Sequence, residues 1–138
     1  MDVVLEIFPD AMVVQSHRDP IDTIPSLASL IAGVWTIYSD KVDMLEVGRL
    51  WSSKFASGMK KTMEVREALG DGAFLDLWFT DTVKEPLEAV KRVYEFIGLA
   101  LTEEAKEEIE NWQELNRREL RPSHNYTLSQ FGLTEEEL

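Results

Sequence analysis

Phe8-Pro9-Asp10-Ala11-Met12-Val13-Val14-Gln15-Ser16-His17-Arg18-Asp19-Pro20-Ile21-Asp22-Thr23-Ile24-Pro25-Ser26 is the stretch in which the hydrophobic period of the chain changes. Pro9-Asp10 is a turn signal, and the apolar run after it, Ala11 to Gln15 with two β-branched valines, predicts a short buried strand. Asp19 has the side chain to cap a helix. Pro20 suits the first helical position, because the N–H it lacks would have no intrahelical acceptor there. Ile21, Ile24, Leu27, Ala28 and Ile31 then recur at helical spacing, which predicts a helix from Pro20 to about Trp35. Arg18 is thereby placed at the carboxyl end of a strand and just before a helix N-terminus. In open parallel sheets anions bind in that crevice, where free N–H groups and the positive end of the helix dipole point. The plainer role for Arg18 is a surface ion pair with Asp19 or Asp22. Ser26 lies two turns along the same helix and can turn its hydroxyl toward the same edge.

Outward from this stretch, Val4, Leu5 and Phe8 suit the last turns of a helix ended by Pro9. Pro25 removes one backbone donor from the helix that follows Asp19 and is expected to kink or reset its first turn. Asp40 to Leu69 reads as a long helix with Met44, Val47, Trp51, Phe55, Met59 and Met63 on one stripe at spacings of three and four. Gly70-Asp71-Gly72 is a turn, and Ala73 to Phe79 reads as a second strand. Asp76 within it reads as a carboxylate satisfied at a sheet edge or nearby turn. Glu85-Pro86 opens a helix with Leu87, Val90, Tyr94 and Ile97 on its buried face and Gly98 as a left-handed cap. Thr102 caps one more helix, with Glu103 and Glu104 at the positive dipole end and Ile109, Trp112 and Leu115 expected to face inward. Strands alternating with helix pairs predict an α/β, helix-rich fold of one domain over residues 1–138, its two strands parallel in one sheet and joined by a helical crossover.

Arg117-Arg118-Glu119-Leu120-Arg121-Pro122 is the one locally basic stretch. Cations there complement the dipole at a helix C-terminus, or they form a loop over a phosphate, where the planar fork of arginine suits bidentate contact. With 26 acidic against 14 basic residues the formal net charge is −12, which argues against a nucleic-acid-binding surface. A small anion remains compatible with local pockets at Arg18 or the Arg117, Arg118, Arg121 group. Cysteine is absent, so disulfides and thiolate chemistry are excluded. No run approaches the roughly 20 apolar residues of a membrane span. Residues 1–6 carry no basic leader pattern, so the default expectation is a cytoplasmic protein.

Several phrases together resemble the bacterial-type sulfotransferases that use 3′-phosphoadenosine-5′-phosphosulfate (PAPS), over nearly the whole chain. They are Phe8-Pro9-Asp10-Ala11, His17-Arg18-Asp19-Pro20 with Ser26, Glu85-Pro86 opening a helix that ends Phe96-Ile97-Gly98-Leu99, and His124-Asn125-Tyr126 followed by Phe131-Gly132-Leu133. The resemblance implies the C-terminal portion of that fold, a partial P-loop-like parallel sheet flanked by helices. The implied activity is transfer of a sulfuryl group from PAPS to a hydroxyl or amine acceptor, with no metal. Arg18 and Ser26 match the strand-end arginine and the serine eight positions later that grip the nucleotide's 3′-phosphate. Arg117, Arg118 and Arg121 stand where a phosphate-covering loop is expected, without the glycine usual there, and Phe79 stands where many relatives have a tyrosine.

The family's glycine-containing loop for the 5′-phosphosulfate, with its lysine, and the catalytic base belong ahead of this segment. Neither His17 nor His124 falls where that base belongs. No catalytic residue is therefore assigned, and the chain alone is expected not to transfer sulfate. The partners expected are a small nucleotide such as PAPS or adenosine 3′,5′-bisphosphate, and either a second copy or a missing N-terminal half. A half-sheet would leave open edges and apolar surface near Val13, Leu77 and Phe79. The alternative is a non-enzymatic, degenerate α/β module kept for interaction or assembly.

Overall fold

The computed structural model describes residues 2–117 and 125–138. In chain order the elements are α1 (Asp2–Ile7), β1 (Val13–His17), α2 (Pro20–Trp35), α3 (Met44–Leu69), β2 (Phe74–Trp78), α4 (Phe79–Lys84), α5 (Pro86–Phe96) and α6 (Glu103–Leu115). Short 3-10 turns follow at Leu128–Phe131 and Glu135–Glu137. The fold is α/β and helix-rich, with a small parallel sheet, as the alternation of periods predicts. The described residues gather into two compact units, one from 2–17 and 69–117 and the other from 18–68 and 125–138.

In the first unit β1 and β2 pair in parallel, with Val13 opposite Phe74, Gln15 opposite Asp76 and His17 opposite Trp78. The strand begins two residues later than its apolar run suggests, because the Pro9-Asp10 turn extends through Ala11, whose N–H bonds the Phe8 carbonyl at 3.0 Å. It is not buried on both sides either. Val13, Gln15 and His17 are half-buried while Val14 and Ser16 face out, so polar residues carry the alternation on past the valines. Phe74 and Ala89 are the buried residues of this unit, on β2 and α5. The six-residue helix α4 lies inside the stretch expected to be strand end and linker. Thr82 ties it back by donating its hydroxyl to the Trp78 carbonyl at 3.0 Å.

Helix α5 begins at Pro86 and ends as its glycine predicts. Gly98 takes φ 72°, its N–H bonds the Glu95 carbonyl, and the Leu99 N–H bonds the Tyr94 carbonyl, the paired bonds of a Schellman cap. Thr102 caps α6 by accepting from the Ala105 N–H at 3.2 Å. The inward face of α6 differs from the expectation. Ala105, Ile109 and Gln113 are half-buried, whereas Trp112 is 60% exposed and Leu115 is 77% exposed. A step of three residues falls about 60° short of a full turn, so two such steps from Ile109 carry Leu115 about 120° off the face.

In the second unit Ile24, Ala28 and Ala32 of α2 pack with Val47 of α3 and with Phe131 and Leu133 from the C-terminal segment. Val47 and Phe131 are almost completely enclosed. Helix α3 starts at Met44 and not at Asp40. Asp43 caps it, its Oδ1 accepting from the N–H groups of Leu45 at 2.9 Å and Glu46 at 3.2 Å, while Ser39 closes a local turn onto the Lys41 carbonyl. The apolar stripe also drifts. Steps of four gain about 40° each on the helix, so by Met63 the row points to solvent. Met59, Thr62 and Val65 carry the covered side instead.

Gly48 of α3 meets the Phe131 backbone so closely that a Cβ there would sit 2.1 Å from the carbonyl oxygen. Thr127 with Gln130, and Thr134 with Glu137, form reciprocal capping boxes on the last two turns. No described helix is long and apolar enough to cross a membrane.

Candidate functional site

Helix α2 spans Pro20–Trp35 as the sequence pattern predicts, and its first turn is organised by Asp19. The Asp19 carboxylate accepts from the Ile21 N–H at 2.9 Å. Its carbonyl accepts from the N–H groups of Asp22 at 3.1 Å and Thr23 at 3.0 Å, and from the Thr23 hydroxyl at 2.9 Å. Pro20 has no N–H to offer. The first-turn donors expected to point at an anion are thus already engaged by Asp19, so any anion held here depends on side chains and the helix dipole. Pro25 sits inside α2 without ending it, although the Ile21 carbonyl loses the N–H that residue 25 would otherwise supply.

Arg18 and Ser26 line the same groove along α2, a cavity of about 760 Å³ to which Thr23 and Ser29 add hydroxyls and Leu27, Leu30 and Val34 an apolar floor. The groove is polar at the Arg18 end and apolar toward the C-terminal half of the helix. The Arg18 guanidinium also lies 3.5 Å from the Asp22 carboxylate, one turn on, so the plainer ion pair exists alongside the groove. Both side chains are well exposed to solvent. A pair of that kind is worth about 0–1 kcal/mol, which leaves a polyvalent anion able to displace Asp22.

Of the late basic residues, Arg117 is exposed just beyond α6 and pairs with Glu114. Arg118 and Arg121, together with His124, lie outside the described residues. The two sequence-assigned residues that share a groove are therefore Arg18 and Ser26.

One polar arrangement escaped the sequence reading. In the first unit the His17 Nε2 lies 2.6 Å from the Asp76 Oδ1, joining the end of β1 to the middle of β2. Asp76 is thus held within the two-stranded sheet by a residue of the neighbouring strand. The signal was present as a histidine and an aspartate each inside a short strand, but their meeting depends on the parallel register, which sequence spacing does not specify. Among the described residues no three His, Asp or Glu side chains gather in a metal-binding arrangement.

A model of the sulfotransferase family matches residues 1–103, a span that includes Arg18, Ser26, His17 and Asp76. The crystal structure of sulfotransferase STF9 from Mycobacterium avium superposes on 99% of this chain with a TM-score of 0.87 and 27% sequence identity. The match covers 35% of that chain. Sulfotransferase STF1 from Mycobacterium tuberculosis is similar over 99% of this chain and 34% of its own, with a TM-score of 0.81 and 26% identity. The chain therefore spans about a third of the length of these solved relatives. No curated protein matches it.

Proposed function

This chain belongs to the sulfotransferase family, and from that premise we propose that it serves PAPS-dependent sulfuryl transfer by holding the 3′-phosphate end of the nucleotide. The observation that carries the reading is the shared groove, which Arg18, just ahead of α2, and Ser26, on its second turn, both line. Arg18 supplies a planar, permanently charged donor set and Ser26 a hydroxyl, a combination suited to the oxygens of a phosphate monoester. The positive end of the α2 dipole adds to the attraction. In the reaction the bond from sulfur to the bridging oxygen of the 5′-phosphate breaks. A new sulfur–oxygen or sulfur–nitrogen bond forms to the acceptor, which loses its proton, and adenosine 3′,5′-bisphosphate departs.

The residues assigned to this chain act at the far end of that donor, by binding and orienting it. Arg117, Arg118 and Arg121 belong to the same proposal as cations for a phosphate of the nucleotide. The second reading, an interaction module, draws on the exposed Trp112 and Leu115 of α6.

Titration calorimetry separates the two. The chain is expected to bind adenosine 3′,5′-bisphosphate in preference to adenosine 5′-monophosphate. Arg18→Ala is expected to cost at least about tenfold in affinity, since a hydrogen bond to a charged group contributes about 1.5–3 kcal/mol. Equal affinity of the two nucleotides, or of the variant and the unsubstituted chain, removes the assignment and leaves the interaction module.

A further inference from the structure

The second unit holds another cavity, of about 410 Å³, where the C-terminal segment meets α3. Leu45, Arg49 and Ser52 line it from the helix, where steps of four and three residues keep them on one face. Phe131, Leu133 and Glu137 line it from the segment. The close approach of the Phe131 backbone to Gly48, one turn from both Leu45 and Ser52, fixes one wall against the other. None of these residues lines the Arg18 groove.

Two opposite charges line this cavity without meeting. The Glu137 carboxylate is held in place by its Oε2, which accepts from the N–H and the hydroxyl of Thr134, each at 3.0 Å. Its Oε1 takes no hydrogen bond among the described residues. The Arg49 guanidinium has neither an ion pair nor a hydrogen bond among them, although Glu46 lies three residues before it on α3. That spacing does produce pairs elsewhere, for Lys61, Lys91, Lys106 and Arg117 each meet a glutamate three residues away. Ser52 donates its hydroxyl to the Arg49 carbonyl at 3.2 Å, which leaves its oxygen lone pairs to accept.

A ligand that satisfies this arrangement carries both charges itself. The planar fork of Arg49 suits a carboxylate, and the free oxygens of Glu137 and Ser52 suit the three donors of an ammonium. Leu45, Leu133 and the edge of Phe131 add the apolar wall typical of a small-molecule site. A phosphate ester fits poorly, since Glu137 repels its charge, and a simple amine meets the like charge of Arg49. We propose that this cavity binds a small zwitterion with an aliphatic side chain, the class of a free α-amino acid, with its carboxylate on Arg49 and its ammonium on Glu137. The proposal is independent of the 3′-phosphate reading, because the two sites share no residue.

Calorimetry on the 138-residue chain tests it with probes of one carbon skeleton. They are L-leucine, isocaproate, which lacks the ammonium, and isopentylamine, which lacks the carboxylate. Leucine is expected to bind one-to-one and about tenfold or more tighter than either fragment, since each fragment leaves one charged group of the site unmatched. Arg49→Gln is expected to weaken leucine by about tenfold without weakening isopentylamine. Glu137→Gln keeps an amide oxygen for the two Thr134 donors while removing the charge, and it is expected to bring isocaproate within about twofold of leucine.

The comparison of probes on the unsubstituted chain decides the matter whether or not a variant folds. No leucine binding up to about 10 mM overturns the proposal. Isocaproate binding as tightly as leucine overturns it too and leaves a carboxylate site at Arg49. Leucine affinity unchanged in both Arg49→Gln and Glu137→Gln places the amino acid elsewhere on the chain and overturns it as well.

Discussion

Arg18 stands 3.5 Å from the Asp22 carboxylate in the first turn of the helix that follows it, a contact that a ligand has to displace. The competing Asp22 is mostly exposed, so its attraction is screened and an incoming phosphate with two negative charges has the advantage. Asp22→Asn removes the competitor and one negative charge from the mouth of the groove. It is expected to raise the affinity for adenosine 3′,5′-bisphosphate by about twofold to fivefold, within the range of an exposed ion pair. Unchanged affinity in calorimetry would show that Asp22 does not guard the site. Asp19 is a different case despite its proximity. Its carboxylate accepts from the Ile21 N–H, so it belongs to the cap of α2.

At the scale of the element, the long helix α3 is held in place by an absence of side chain. Gly48 lets the Phe131 backbone approach where a Cβ would fall 2.1 Å from its carbonyl oxygen and 2.8 Å from its Cβ. Neither atom is the yielding tip of a side chain. Gly48→Ala is expected to destabilise the chain by about 1–3 kcal/mol even though alanine favours the helix more than glycine does, since overpacking a closed contact outweighs the propensity gain. Chemical denaturation reads this as a lower midpoint at unchanged slope. Equal or greater stability would mean that the C-terminal segment shifts freely off α3.

Across the whole molecule, apolar side chains remain uncovered in both units. Trp112 and Leu115 of α6 stand out in one, and Leu30, Val34 and Ile37 along and beyond α2 in the other. Relatives of this fold are about three times longer. We propose that these faces take a second copy or further polypeptide of the same fold, and the purified 138-residue chain is expected to self-associate in sedimentation velocity. A monomer unchanged with concentration would sink that proposal. The same preparation is expected to give no turnover of PAPS above background with phenols, sugars or amines. The first glycine of these residues is Gly33, so they contain no glycine loop ahead of β1 for the reacting phosphosulfate. Turnover abolished by Arg18→Ala would overturn this expectation.

Local chemistry was legible in the residues themselves. Asp19-Pro20 marks the start of α2, Gly98 the end of α5, and the period change between Val13 and Ile21 the switch from strand to helix, because caps, turns and periodicity act within a few neighbouring residues. That Arg18 and Ser26 line one groove follows from the same local range, since Arg18 enters α2 and Ser26 lies on its second turn. What lay beyond that range was decided only by the tertiary structure. Met63, Trp112 and Leu115 ended on open faces because steps of three and four accumulate angular error, which only contact with a neighbour resolves. The long helix starts at Met44 and not at Asp40, with Asp43 as its cap and Ser39 closing a local turn onto the Lys41 carbonyl ahead of it. The His17–Asp76 contact joins residues 59 positions apart and exists only in the parallel register of β1 and β2. No spacing along the chain encodes such a register, because it is set by which strands the fold brings side by side.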